Sequence, residues 1–403
     1  MATPTLLQES VVQHDFYVPQ CEIRIEGTGL PHDVLRDVSQ VTYQDGLKEI
    51  DGFSITVNNW DAATRAFKYV GSETKATLKT DPRFRLFDPC NKRVQVYFGY
   101  LGALELMVEG TFTTLEPNFP SGGKPTLEVR GLNVLHKLRR KQYSDHWQGK
   151  KDSQIAQIIG RKVDKEVGKQ FPLPVVVNDE ALKAEDPLPY VAQTNQYDID
   201  FLLLRARRLG YVVTVKPPKE RSSKPDEKKT HLYFGPSGDP QEPVCELKWG
   251  ASLLSFKPTL TTANQIKSVT VTGWDRDKQK RYTGQASVNS KKVLLKPALR
   301  DLLNVCDPRD EIVVNKPVRG KKEADNLALA ILMDRSKEMV KASVTCIGLP
   351  KLRTGCKVKI EGVGERLRGT YFVTDTTHTY GDSGYTTSFN ARLEPSGSLE
   401  GLE

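Results

Sequence analysis

The sequence has no pair of cysteines at the C-x-x-C spacing. Its six cysteines (Cys21, Cys90, Cys245, Cys306, Cys346 and Cys356) are dispersed over 403 residues. That rules out a disulfide framework and gives no spacing for a zinc site. They read instead as small hydrophobes in a reducing compartment. No apolar run approaches the roughly 18 residues needed to span a bilayer, so no membrane anchor is expected. The first residues, MATPTLLQESVVQHD, lack a charged segment followed by an apolar core. No secretory leader is expected from them, and the protein is expected to be made and kept in a cytoplasm. H-E-x-x-H, a Walker loop and a Ser or Cys nucleophile motif are all missing. Charge of one sign is also scarce. The 59 Lys and Arg against 50 Asp and Glu leave a formal +9, which describes a solvated surface better than a nucleic-acid patch.

What is present is β-pattern, punctuated by Gly and Pro. With 38% hydrophobic residues the chain can build packed cores, and its length suggests roughly two to four domains. The run from Pro350 to Pro395 holds three strand-like pieces, Cys356–Ile360, Thr370–Thr374 and Tyr385–Phe389, separated by Gly362-Val363-Gly364 and Gly381-Asp382-Ser383-Gly384. This is an antiparallel meander. Similar pieces occur at Cys21–Ile25, Ser39–Tyr43, Phe53–Val57, Arg93–Phe98, Leu106–Phe112 and Pro125–Arg130, which argues an antiparallel sandwich or barrel. Between them the pattern turns helical. Ser153 is placed to cap a helix with Ile155, Ile158, Ile159 and Val163 on its apolar side and Gly168 at its end. Asp198 caps a second helix, Ile199 to Leu209, closed by Gly210. There Phe201, Leu204 and Leu209 are expected to face a core, and Arg205, Arg207 and Arg208 solvent. Tyr211–Val215 and His231–Phe234 read as a hairpin with a charged tip. Later pieces are strands at Leu253–Leu260, Val269–Thr272 and Glu311–Val314. A helix runs from Lys322 to Val340, with Ala324, Leu327, Ala328, Ile331 and Leu332 on its apolar side.

The two ends of the chain resemble each other. Ile55 to Asp61 matches Val269 to Asp275, including Trp60 and Trp274. Val94–Gly99 followed by Val108–Phe112 matches Val358–Gly362 followed by Leu367–Phe372, with a shared Gly-Thr-aromatic triplet. The same order of matches favours an internal duplication, although antiparallel meanders share some pattern in general. Two copies per chain would let a trimer present six similar units in a ring.

Three segments carry a resemblance to a known family. They are Tyr197–Leu202 with Arg208–Tyr211, then Val269–Asp275, and then the stretch from Glu323-Ala324 through Gly348-Leu349-Pro350, Gly355, Gly362-Val363-Gly364, Gly369-Thr370-Tyr371, Val373, His378 and Gly384–Thr387. The chain resembles the phage late control protein D family, the baseplate hub of contractile tails, and the N-terminal part of VgrG spikes. The likeness covers residues 190–395 best, and residues 1–190 fit in architecture more than in motif. The resemblance implies a homotrimeric structural hub without catalysis or cofactor. Its ring would join the hexameric tail tube to a separate central spike protein, touching other baseplate and tape-measure proteins. DNA or effector cargo would pass through the bore. Such a hub belongs to the baseplate of a virion or injection particle assembled in the bacterial cytoplasm. The expected fold is mainly β, with two similar antiparallel β-barrel (tube-type) domains and inserted α/β parts. The first barrel covers residues 1–132 and the inserted α+β unit 133–245. The second barrel covers 246–285 and 341–396, interrupted by an insertion over 286–340 that ends in a helix, with a tail over 397–403.

Chemistry must be weighed against this. His378, with Asp375 and Asp382 nearby, is the first choice for a catalytic reading, but it reads better as a packed or hydrogen-bonded surface side chain. Glu361 and Glu365 straddle a turn and make a poor glycosidase pair. Gly362-Val363-Gly364 reads as a hairpin turn, not a phosphate cradle. Trp60 and Trp274 are expected at equivalent places in the two barrels, with carbohydrate stacking as the other reading. The basic run Lys137 to Lys141, with Lys150 and Lys151, is a solvated face, a docking patch or bore lining. No catalytic, cofactor or metal residue is assigned. The alternatives to a hub are a tail-associated cell-wall hydrolase and a nucleic-acid-binding β-protein.

Overall fold

The computed structural model describes residues 18–394, except 48, 90–91, 101–102, 140, 165–168, 171–172, 210, 217–223, 237–242, 276–278, 291–292, 294, 307–308, 315–317 and 319. The expected N- and C-terminal tails, Gly168, Gly210 and residues 217–223 of the charged hairpin tip lie outside the described residues.

The fold is mainly β, with two similar antiparallel sets of strands and inserted helices, as the sequence predicts. In the N-terminal set the neighbours run Pro19–Ile25, Val94–Tyr100, Ala103–Asn118, Thr126–Asn133, Gly52–Asn58, Val38–Gly46. In the C-terminal set they run Cys245–Lys248, Lys357–Glu361, Gly369–Gly381, Gly384–Leu393, Val340–Ile347, Leu253–Leu260. Numbered along the chain within each set, both orders are 1-4-5-6-3-2. The first pair alone differs, being antiparallel in the N-terminal set and parallel in the C-terminal one.

The register repeats as well. A bulge between Phe112 and Thr114 has its counterpart between Val373 and Asp375. A second bulge, between Val38 and Gln40, recurs between Leu253 and Ser255. Bulges interrupt the ladder and re-aim a strand, so their coincidence fixes the equivalence residue by residue. Ile55 corresponds to Val344, Val129 to Phe389 and Val94 to Val358.

This corrects the sequence comparison in two places. The strand Ile266–Asp275 lies in a separate three-stranded sheet with Lys280–Ser287 and Arg309–Val313, so it is not the partner of Ile55–Asp61. The counterpart of Gly52–Asn58 is Val340–Ile347. The Gly-Thr-aromatic triplets are also two residues out of register, because Gly110 corresponds to Tyr371 and not Gly369. A shift of two preserves which face each side chain points to, so the period-2 pattern alone cannot detect it. Trp60 and Trp274 are therefore not equivalent. Trp60 packs edgewise on Phe67 at 5.3 Å, whereas Trp274 is 60% exposed.

Neither set is closed by a ladder of its own among the described residues. Instead they join edge to edge. Gly369–Gly381 pairs with Lys357–Glu361 along its first residues, then runs past that strand and pairs with Val38–Gly46 from Asp375↔Gly46 to Gly381↔Gln40. One sheet thus spans both halves of the chain. Its inner side chains form two cores, one around Ile55, Phe98 and Phe112 and one around Val344, Tyr371 and Phe389.

Residues between the sets build a third core around Ile155, Phe201 and Phe234. The helices Asp152–Gly160 and Asp198–Leu209 cover a sheet made of Val175–Val177, His231–Pro236 and Tyr211–Lys216, in which the expected hairpin pairs as read. Ser153 is not the cap. The helix begins at Asp152 after Lys151, and Ser153 bonds Glu185 instead. Leu204 is 54% exposed, while Arg205 is buried with both donors on Asp152 at 2.5 and 2.9 Å. A charged residue turned inward by a partner is invisible to a hydrophobicity pattern. Ile158 is likewise exposed.

The helix Lys321–Lys337 lies over the Ile266–Asp275 sheet with Ala324, Ala328 and Leu332 inward. Contact is close because Gly284 has no side chain: a Cβ there would come 2.2 Å from the Ala324 carbonyl carbon. The helix Pro297–Cys306 is absent from the sequence reading. Pro297 at its first position and buried Leu299 and Leu303 four apart are the signals that point to it.

Candidate functional site

On the face of the continuous sheet away from the cores, alternate residues form a concave groove of about 1440 Å³. Both sets contribute at equivalent positions. Thr42, Gln44 and Ser54 come from the N-terminal set, and Lys257, Thr259 and Ser343 take the same places in the C-terminal set. Strand alternation dictates this, since Val41, Tyr43, Phe53 and Ile55 point inward and their neighbours must point out. Hydroxyls and charged side chains share the lining, and several of its charges are met by opposite ones. Arg130 reaches Glu128 at 3.0 Å and Glu116 at 3.1 Å, and Lys341 bonds Glu338. Such a face is polar, with acidic and basic side chains in nearly equal number.

Beneath the groove the two sets are locked by a polar cluster. Asp45 accepts from the Thr354 backbone N–H at 3.2 Å, from the Thr354 hydroxyl at 2.7 Å and from the Thr376 hydroxyl. Arg353 donates to the carbonyls of Pro350 at 2.8 Å, Met107 at 2.8 Å and Leu106 at 2.9 Å, and its guanidinium lies 4.8 Å above the Tyr43 ring. The connection that carries Arg353 and Thr354 thereby grips strands of the opposite set. Tyr100 adds a bond from its hydroxyl to the Gly348 carbonyl at 2.9 Å.

His378 sits at the centre of this lock and not on the surface as expected. It is fully buried, with Nδ1 at 2.9 Å from the Tyr385 hydroxyl and Nε2 at 2.9 Å from the Leu352 carbonyl. Burial first, and then the Arg353 charge, hold its pKa well below the usual histidine value, so the ring is neutral. Asp375 is engaged elsewhere, by Asn390 at 2.7 Å and Thr374 at 2.9 Å, and Asp382 is on an exposed turn. The three are not brought together for catalysis.

Asp51 lies near the same cluster, held by the Asn133 amide at 2.8 Å. Burial, and then the neighbouring Asp45 carboxylate, push its pKa up to about 8. A raised carboxyl favours the fold when protonated. Its contribution is complete below the unfolded value near 3.8 and is lost as pH rises through about 8. Asp51→Asn is therefore expected to stabilise the protein above pH 8 and to change little at pH 4. Chemical denaturation at the two pH values checks this, and an equal effect at both would refute it.

The remaining candidates are surface features. Glu361 pairs with Lys359 at 3.2 Å and Glu365 with Arg368 at 2.7 Å. Gly362 and Gly364 have φ of 80° and 81°, as a tight turn demands. In the basic stretch Arg139 meets Asp200 at 3.0 Å and Lys151 donates to the Leu182 carbonyl at 2.8 Å. Among the described residues no three His, Cys, Asp or Glu gather as metal ligands. No described helix is long and apolar enough to cross a membrane. Arg353, Asp45 and Asp51 escaped the sequence reading, because a decisive partner of each (Met107, Thr354 and Asn133) is distant along the chain.

A search of curated proteins finds no match to the sequence. Among solved structures the fold is similar to the 43 kDa tail protein of prophage MuSo2 from Shewanella oneidensis, with 14% identity, TM-score 0.63, and 93% of this chain and 98% of that one covered. It is also similar to the tail protein from Neisseria meningitidis MC58, with 12% identity, TM-score 0.62, and 94% and 97% covered. A chain of the Francisella PdpA–VgrG complex shares 8% identity at TM-score 0.54, over 99% of this chain and 62% of that one. At these identities the likeness is one of fold. Residues 17–382 match the model of the Alg8 N-terminal domain family, and the chain belongs to that family.

Proposed function

We propose that the protein is a structural hub of a contractile tail or injection particle, of the late control protein D type. The observation that carries this reading is the register-matched pair of six-stranded sets joined in one chain. Three chains arranged about a threefold axis supply six near-equivalent sets, which is what a collar needs to meet a hexameric tube on one side and a trimeric spike on the other. The fold shared with tail proteins and with a VgrG complex supports the same reading. The groove faces the bore in this arrangement. Its hydroxyl lining and paired charges let a polyanion or an effector slide without being held. On this reading the sets are the two tube-type domains, residues 135–234 form the inserted α+β domain, and residues 266–337 are an insertion that shares its core with the second set. Tube, spike, other baseplate and tape-measure proteins are the partners, and the particle's baseplate is the place of action. No residue performs chemistry.

Light scattering at two concentrations, with and without the spike protein, tests the proposal. A particle of three times 45.2 kDa is expected in at least one condition. A monomer in all four samples would remove the ring, and peptidoglycan hydrolysis and DNA binding would become the activities to assay.

A further inference from the structure

The insertion over residues 266–337 carries a sheet face that no core uses. Its three strands, Lys280–Ser287, Ile266–Asp275 and Arg309–Val313, turn Val269, Val271, Gly284 and Val313 inward. Strand alternation sends the residues between them outward, and the register sets them in rows. Arg281 stands beside Trp274 and Thr283 beside Thr272, Gln285 and Ile312 flank Thr270, and Ser287 and Asp310 flank Ser268. From Ser268 to Trp274 the face runs about 20 Å.

This face is amphipathic across its width. Its column on Arg309–Val313 and just beyond is apolar, with Ile312 70% and Val314 69% exposed. The other two columns carry hydroxyls and an amide, and end in Trp274 and Arg281. Trp274, which the register separates from Trp60, leaves most of its indole in solvent. Arg281 donates to the Thr272 hydroxyl at 3.3 Å, and among the described residues no carboxylate pairs with it. Thr283 and Gln285 also line a polar recess of about 520 Å³ along the open edge of their strand.

We infer that this face binds an acidic oligosaccharide, with one pyranose ring stacked on the Trp274 indole and a sugar carboxylate on Arg281. The composition of the face separates this occupant from two others. An apolar protein segment covers Ile312, Val314 and Trp274, but it also buries the hydroxyl and amide columns beside them, and each of those groups then needs a partner. A nucleic acid stacks on the indole, but its phosphates meet one cation on the face, Arg281, and the Asp310 carboxylate at the far end. A sugar chain divides as the face does. The C–H faces of its rings lie on indole and aliphatic side chains, and its rim hydroxyls donate and accept, as Thr, Ser and Gln do. The inference stands apart from the hub reading and holds whether or not the chain forms a ring.

Isothermal titration of the full-length protein with tetragalacturonate, and with cellotetraose as the neutral comparator, tests the site. Saturable binding of tetragalacturonate is expected, about fivefold tighter than that of cellotetraose. Trp274→Ala should weaken it about tenfold. Trp274→Phe should cost less, because a phenyl ring keeps part of the stacking surface. Arg281→Gln should bring the two sugars level. Both side chains are exposed, so the variants should melt with the parent protein. No binding of either sugar, or binding that Trp274→Ala leaves unchanged, would overturn the site. Equal binding of the two sugars by the parent protein would overturn the acidic class. Tighter binding of a single-stranded oligonucleotide, or a change of particle mass in light scattering on Trp274→Ala, would assign the face to a nucleic acid or a protein and overturn the inference as well.

Discussion

Arg353→Ala is expected to destabilise the protein by about 4 kcal/mol and to split its unfolding into separate steps. The guanidinium satisfies three backbone carbonyls, two of them from Leu106 and Met107 in the opposite set. Charge-assisted bonds contribute about 1.5–3 kcal/mol each, and an abandoned buried carbonyl costs about 1–3 kcal/mol. Water entering the gap recovers part of that, which leaves the total near 4. Lysine should rescue less than half, because one ammonium cannot address three carbonyls in a plane as the forked guanidinium does. The loss falls on the connection between the sets, not inside either core, so cooperativity should suffer along with stability. Denaturant unfolding followed by both tryptophan fluorescence and far-UV circular dichroism reads this out. Coincident transitions at an unchanged midpoint would refute it.

Arg205→Ala should be as damaging, at about 3–5 kcal/mol, for a different reason. It strands Asp152, a buried carboxylate whose partner donates at 2.5 and 2.9 Å between two helices of the middle core. The double replacement Asp152→Leu/Arg205→Met is expected to recover most of that loss. Two buried charges removed together leave an apolar contact of similar volume and nothing unpaired. Thermal melts of the single and double variants separate the effects. If the double variant is no better than the single one, the ion pair does more than neutralise itself, and the stranded-charge account fails. Assembly should be spared in both, because the pair lies in the middle unit, away from the sheet edges.

The pattern of residues determined a good deal unaided. Alternation at Phe53–Val57, Lys357–Glu361 and Gly384–Leu393 marks half-buried strands, because one side of a sheet faces a core and the other water. Apolar spacing marks the helices Asp198–Leu209 and Lys321–Lys337. Repetition of strand patterns announces two similar halves. These are local properties, written by periodicity within a dozen residues. Three things were decided only by tertiary structure. The repeat's register depends on bulges, and a slip of two residues leaves the pattern unchanged, so Val269–Asp275 passed for a strand of the second set. Burial of Arg205, Arg353 and His378 depends on partners 53, 246 and 26 residues away, which no local signal announces. The joining of the two sets along Val38–Gly46 and Asp375–Gly381 depends on where one strand outruns its neighbour. Long-range pairing is set by the geometry of the finished sheet, and sequence periodicity carries no record of which edge meets which.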